Sequence, residues 1–136
     1  MGVVLGLLLV LSVVFSESRW YPNIEEGLRV AREEGKLVLF YFYEEGCSYC
    51  RYMEEVVFVD PLVSDLMERS FVVIPVDTED PPPDLDKRFR VFGTPTFFIY
   101  DALKGKVIME IVGMHESDIF LRLLKRACAK VEVRAC

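Results

Sequence analysis

The sequence predicts a single α/β domain in which a central mixed β-sheet is flanked by helices. Two apolar runs, Leu37 to Tyr43 and Phe71 to Asp77, are rich in branched and aromatic residues, as strands buried on both faces of a sheet must be. The residues between them follow a helical period instead. After Pro95 the pattern becomes a β-hairpin and then an amphipathic helix. Parallel strands joined by a helical crossover take the right-handed connection, and a hairpin with a covering helix completes the layers around the sheet. A chain of 136 residues can bury one core of this kind.

The first stretch is not part of that core. Val3 to Phe15 carries no charge and is almost entirely Val, Leu and Gly. It is short of the roughly 20 residues that span a bilayer. It fits the apolar region of a secretory leader, with Ser16 and Ser18 as small residues for cleavage before Arg19. No Lys or Arg precedes the run, so only the terminal amine supplies positive charge there. Residues 1–18 are therefore expected to be a signal peptide or an N-terminal membrane anchor, and residues 19–136 the folded domain. The protein is expected to be exported, periplasmic or otherwise extracytoplasmic.

From Arg19 each element has its own warrant. Pro22-Asn23 introduces a helix with Ile24, Leu28 and Ala31 on one face, and Gly35 ends it. The strand from Leu37 to Tyr43 follows, and the next helix is expected to run to about Phe58. Asp60-Pro61 restarts a helical piece carrying Leu62, Val63, Leu66 and Met67. The strand Phe71 to Asp77 leads into an acidic, proline-rich stretch, Thr78 to Pro83, which reads as a stiff loop. A short helix is expected from Asp84 to Phe89. Phe97 to Tyr100 and Lys106 to Ile111 alternate about Asp101-Ala102-Leu103-Lys104-Gly105, a hairpin signal. Gly113 breaks the pattern, and Ser117 is expected to cap a last helix bearing Phe120, Leu121, Leu124 and Cys128. That helix should fray after Ala129.

Composition narrows the function classes. Sixteen Lys and Arg against 22 Asp and Glu leave a net charge of −6 with no basic block, which excludes nucleic acid as a partner class. Asn23 is the single Asn, and Gln is absent. Depletion of thermolabile amides suggests a heat-adapted, thermophile host.

The chemistry concentrates in Gly46-Cys47-Ser48-Tyr49-Cys50-Arg51. Cys50, Met53 and Val57 mark one face of the helix that follows the strand, so the two cysteines lie where a central strand hands over to a helix N-terminus. Unpaired N–H groups and the positive end of the helix dipole favour a thiolate there, below the free value of about 8.5. Cys47 is thus the expected nucleophile, and Cys50, one turn in and on the apolar face, the resolving thiol. A structural disulfide or half of a zinc site is the bland alternative. Zinc wants four ligands, and His115, Cys128 and Cys136 stand at unhelpful spacing, so no metal is expected.

Cys47-Ser48-Tyr49-Cys50 after a buried strand, together with Gly93-Thr94-Pro95-Thr96, resembles the thioredoxin superfamily from about Asn23 to Lys125. Within it, the run from Cys50 to Pro61 is similar to the exported thioredoxin-related proteins, among them SoxW-like proteins and the C-terminal domain of the periplasmic reductase DsbD. The resemblance implies a thioredoxin fold, a cis Pro95 facing the CxxC, and Thr94 offering backbone hydrogen bonds to a substrate strand. Tyr49 is a further candidate to present a ring to the substrate. Two positions depart from the family pattern: Tyr41 stands where a buried acid is usual, and Gly46 where Trp is usual. Glu54 lies where the DsbD-like domains carry an acid, and is a candidate proton relay; a solvated helix-face carboxylate is the plain alternative.

The expected function is a thiol–disulfide oxidoreductase that reduces protein disulfides outside the cytoplasm. It should need no cofactor, only protein disulfide substrates and an upstream thiol electron donor such as a membrane reductase, and should act as a monomer. The alternatives are a disulfide oxidase or isomerase, and a non-catalytic peptide-binding module of the same fold. Cys128 and Cys136 are candidates for a second, structural disulfide; a buried free Cys128 and a frayed terminal Cys136 is the other reading.

Overall fold

The structure is a computed structural model that describes residues 20–85, 87–131 and 136. The expected leader, residues 1–18, lies outside the described residues, as does Asp86. The elements run α1 (Ile24–Glu34), β1 (Leu37–Tyr43), α2 (Ser48–Tyr52), α3 (Pro61–Ser70), β2 (Phe71–Asp77), β3 (Thr96–Asp101), β4 (Lys106–Val112) and α4 (Ser117–Ala129). The sheet order is β2-β1-β3-β4. β1 pairs parallel with β2, in register from Leu37 opposite Phe71, and antiparallel with β3; β3 and β4 form the antiparallel hairpin. This is the thioredoxin fold, a mixed four-stranded sheet between helices.

Side chains alternate across a strand, so β1 feeds two cores. Leu37, Leu39 and Tyr41 point to one face, where they meet Met53, Phe58, Val63, Phe97, Phe120 and Leu124. Val38, Phe40 and Phe42 point to the other, against α1 and Phe89. Each of the six is at most 3 % exposed, which is why the run shows no polar alternation.

Local signals explain most boundaries. Asn23 accepts a hydrogen bond from the Glu26 N–H and starts α1, and Gly35 ends it in the left-handed conformation at φ 65°. Asp60 accepts from Leu62 and Val63, with Pro61 at the first helical position of α3. Asp101 is buried because it accepts from the N–H groups of Leu103 and Lys104 in the hairpin turn.

Three expectations are corrected. Among the described residues of the stretch 84–89 there is no regular helix: they make turns, closed by bonds from the Leu85 N–H to the Pro82 carbonyl and from the Phe89 N–H to the Leu85 carbonyl. So few residues cannot repay helix nucleation, and burial of Leu85 and Phe89 fixes the segment instead. The helix after Cys47 is not uniform, because Met53–Val57 widens into a π turn in which the Phe58 N–H reaches the Met53 carbonyl at 2.8 Å. Finally, Glu116 rather than Ser117 occupies the cap of α4, without a side-chain capping bond.

The domain was expected to begin at Arg19, but the pairing of its first described residues with the sheet was not foreseen. Trp20 forms a parallel bridge with Val73, the Tyr21 N–H donates to the Val73 carbonyl, and the indole packs edge-on against Tyr41 and Phe58.

Candidate active site

The Glu45-Gly46 turn delivers the chain from the end of β1 to α2. Gly46 takes φ 80°, a conformation that costs a side chain energy, so glycine at this position is a backbone requirement. Cys47 then caps α2 in extended conformation, and its sulfur accepts the Cys50 N–H at 3.1 Å. Cys47 and Cys50 are joined in a disulfide, with their Cα atoms 5.2 Å apart. Cys47 is half-buried at the mouth of the site, whereas Cys50 is 3 % exposed behind it. Once the bond is opened, the N–H that already meets the Cys47 sulfur is a donor to the thiolate, the interaction that favours the charged form.

The opposite wall is the loop before β3. The Thr94–Pro95 peptide bond is cis, and the Thr94 carbonyl lies 3.7 Å from the Cys47 sulfur. Pro95 is buried, its carbonyl accepting from the Gly113 N–H, and Thr96 fastens the loop by donating to the Gly93 carbonyl at 2.7 Å. Tyr49 stands at 61 % exposure on the outer side of the CxxC. Thr94, Pro95 and Cys47 are therefore brought together, with Tyr49 on the open rim.

Beneath the cysteines, the Tyr41 hydroxyl donates to Glu54 Oε1 at 3.1 Å and approaches the Cys50 carbonyl at 3.4 Å. Burial first, and then the Glu54 carboxylate, push the Tyr41 phenol well above its ordinary range. Tyr41 is thus a fixed donor that holds Glu54 one turn after Cys50. The residue that breaks the family pattern is the one that positions the candidate relay, a link that spacing alone could not reveal. Tyr52 makes a similar bond to Glu116 at 2.7 Å, tying α2 to the start of α4, and that bond raises its phenol as well.

Other candidates lie apart from this chemistry. The imidazole of His115 meets the Val112 carbonyl at 3.1 Å, a loop contact. Cys128 is bonded to Cys136, with Cα atoms 5.7 Å apart. Glu44, Glu45, Glu54 and Asp77 line the cleft beside Cys47, with Arg51 the only cation among its lining residues, so the surroundings are acidic.

A CxxC disulfide between a buried strand and a helix, faced by a cis-proline loop, defines a thioredoxin-like domain. Comparison with known proteins agrees: the sequence model of the thioredoxin-like domain matches residues 24–127, and the chain belongs to that family. It is 30 % identical over 125 residues to the thiol:disulfide interchange protein DsbD of Ralstonia nicotianae, an alignment covering 90 % of this chain but 20 % of that protein. Among solved structures, a thioredoxin from Thermus thermophilus is 38 % identical with a TM-score of 0.75, over 84 % of this chain and 90 % of that one. The reduced C-terminal domain of DsbD from Neisseria meningitidis is 25 % identical with a TM-score of 0.61, over 76 % of this chain and 92 % of that one.

Proposed function

We propose that this chain reduces disulfide bonds of other proteins outside the cytoplasm. The Cys47 thiolate attacks one sulfur of the partner's disulfide; a mixed disulfide forms, and the other partner sulfur leaves as a thiolate and takes a proton. Cys50 then passes its proton to Glu54 and attacks the Cys47 sulfur, breaking the mixed disulfide, and the partner's second sulfur leaves as a thiolate and takes a proton. Two electrons have moved, and Cys47–Cys50 is left as a disulfide for an upstream thiol donor to reduce. The observation that carries this reading is the asymmetry of the pair: Cys47 half-buried at the cis-proline wall, Cys50 buried behind it.

Thr94 and Pro95 supply the surface on which the partner strand lies, and Tyr49 the rim. The apolar run before Arg19 supports export. Among the described residues no helix is long and apolar enough to cross a membrane. Likeness to one domain of DsbD supports a membrane reductase as the donor. Cys128–Cys136 serves as a fastening of the C-terminus and does not exchange electrons.

Insulin reduction and partner trapping test the assignment. Cys47→Ser should abolish turnover, and Cys50→Ser should accumulate mixed disulfides visible on non-reducing gels. Equal trapping by both variants would overturn the roles. A Cys47/Cys50 potential near about −270 mV fits a reductant, whereas one near about −120 mV would reverse the direction.

A further inference from the structure

Trp20, the single tryptophan of the chain, precedes the first helix and belongs to no strand, yet it is half-buried and fixed at two levels. Its backbone bridges Val73 of β2, and the next N–H, that of Tyr21, donates to the Val73 carbonyl at 2.8 Å. Its indole meets two rings edge-on: Tyr41 at 5.9 Å with planes at 88°, and Phe58 at 5.5 Å with planes at 67°. Those two rings also meet each other, at 5.3 Å and 83°. The three make a closed triangle in the edge-to-face geometry that aromatic pairs favour.

The two rings belong to the two sides of one hydrogen bond. Tyr41 carries the hydroxyl that donates to Glu54 Oε1. Phe58 ends the π turn that carries Glu54, its N–H reaching the Met53 carbonyl. Donor and acceptor thus come from different elements, β1 and the turn after α2, and the indole touches the anchor of each. Tyr41 is 0 % exposed and Phe58 8 %. Removing the indole opens one side of both rings, and a side chain with empty space beside it loses the contacts that fix it. A hydrogen bond spanning two elements tolerates little of that, because it weakens steeply as distance and angle drift.

We infer that Trp20 is a positioning residue for the resolving step: its indole keeps the Tyr41 hydroxyl on Glu54, and so keeps that carboxylate beside Cys50. The Cys50 thiol gives Glu54 its proton as the sulfur attacks Cys47 and the mixed disulfide breaks. The proton's destination rests on the exchange reading above; the hold on Tyr41 rests on the ring contacts alone. Glu54 and Cys50 line the same cleft, and Glu54 and Tyr43 are the titratable groups that act on Tyr41. Formation of the mixed disulfide uses Cys47 and the cis-proline wall, and should not depend on the indole.

The test has two arms. In the oxidised full chain with carbon-labelled tyrosine, Glu54→Gln should move the Tyr41 Cζ NMR signal, and should no longer move it once Trp20→Ala is present. An equal shift with and without Trp20 overturns the positioning, and so does no shift in either. In the second arm the reduced chain attacks glutathione disulfide, and formation and resolution of the mixed disulfide are timed separately by acid quench and mass spectrometry. Trp20→Ala should slow resolution about five- to tenfold, part of the about 100-fold or more that a positioned general base supplies, and leave formation unchanged. Its pH profile for resolution should match that of Tyr41→Phe, and in a Tyr41→Phe background Trp20→Ala should add no further slowing. Loss of packing alone would slow both steps or neither, or would add to Tyr41→Phe; any of these overturns the inference. Trp20→Leu, which keeps apolar volume without the edge-on rings, carries the same comparisons if Trp20→Ala does not fold. Tyr41→Phe resolving like the parent would remove the proton relay, and the signal comparison still decides what Trp20 holds.

Discussion

The Tyr41 phenol is held well above its ordinary range. Its burial and the adjacent Glu54 carboxylate both disfavour the phenolate. An unfolded tyrosine loses its proton near pH 10, so the folded state binds the proton more tightly. Linkage then fixes the sign: this contribution is fully present below about pH 10 and is lost as pH rises above it, at up to about 1.4 kcal/mol per pH unit. Tyr41→Phe should make the alkaline fall in unfolding free energy shallower, read from denaturant titrations at successive pH values. Tyr43 is raised as well, by burial and by Asp77, Glu54 and Glu45, so part of the slope should persist. At neutral pH the same substitution removes a hydrogen bond to a carboxylate and should cost about 1.5–3 kcal/mol. If Glu54 takes the Cys50 proton, Tyr41→Phe should slow resolution of the mixed disulfide while leaving its formation unchanged, with a shifted pH profile for resolution. An unshifted profile would reduce Tyr41 to packing alone.

At the scale of elements, α1 packs closely on β2 at Gly27. A Cβ on Gly27 would lie 2.7 Å from Ile74 Cδ1, 2.8 Å from Ile74 Cγ1 and 3.1 Å from Tyr21 Cβ. Ile74 is fully buried, so it has no free volume to retreat into. Gly27→Ala gains about 1 kcal/mol in helix propensity and loses about 1–3 kcal/mol to overpacking. The net should be a destabilisation of about 1 kcal/mol, read as a lower denaturant midpoint; a stabilised variant would show that α1 can slide. The helical period around Gly27 was legible because Ile24, Leu28 and Ala31 mark a buried face, but the period says nothing of how near the sheet lies. The π turn was hidden for a related reason. Cys50, Met53 and Val57 fit an ordinary helix as well, and only the position of Phe58 between Tyr41, Phe97 and Phe120 distinguishes the wider turn. The segment around Leu85 and Phe89 misled in the other direction, since the spacing of two buried anchors is shared by a helix and by a run of turns.

Across the whole molecule, two layers of core enclose the sheet: Trp20 lies along the β2 edge, and α4 packs on the face lined by Leu37, Leu39 and Tyr41. The order of strands along the chain and the placing of the CxxC were readable because buried strands and a strand-to-helix handover have strong patterns. Trp20 was not, since one aromatic before the first helix carries no period. The C-terminus left two readings open, and Cys128 explains why: its place on the buried face of α4, at 6 % exposure, suits a free thiol as well as a bonded one. The bond to Cys136 closes a loop across a sequence separation of 8. In the chain-entropy account, closing so short a loop stabilises by about 2–3 kcal/mol. Cys136→Ser should therefore lower the unfolding free energy of the oxidised protein by that amount. It should leave insulin reduction unchanged, because the Cys47–Cys50 pair sits at the other end of β1, beyond the reach of the tail. Mass spectrometry after alkylation checks the premise, with Cys128 and Cys136 expected unlabelled until the protein is unfolded and reduced. Labelling of both in the folded oxidised protein, or a stability unmoved by Cys136→Ser, would remove the fastening.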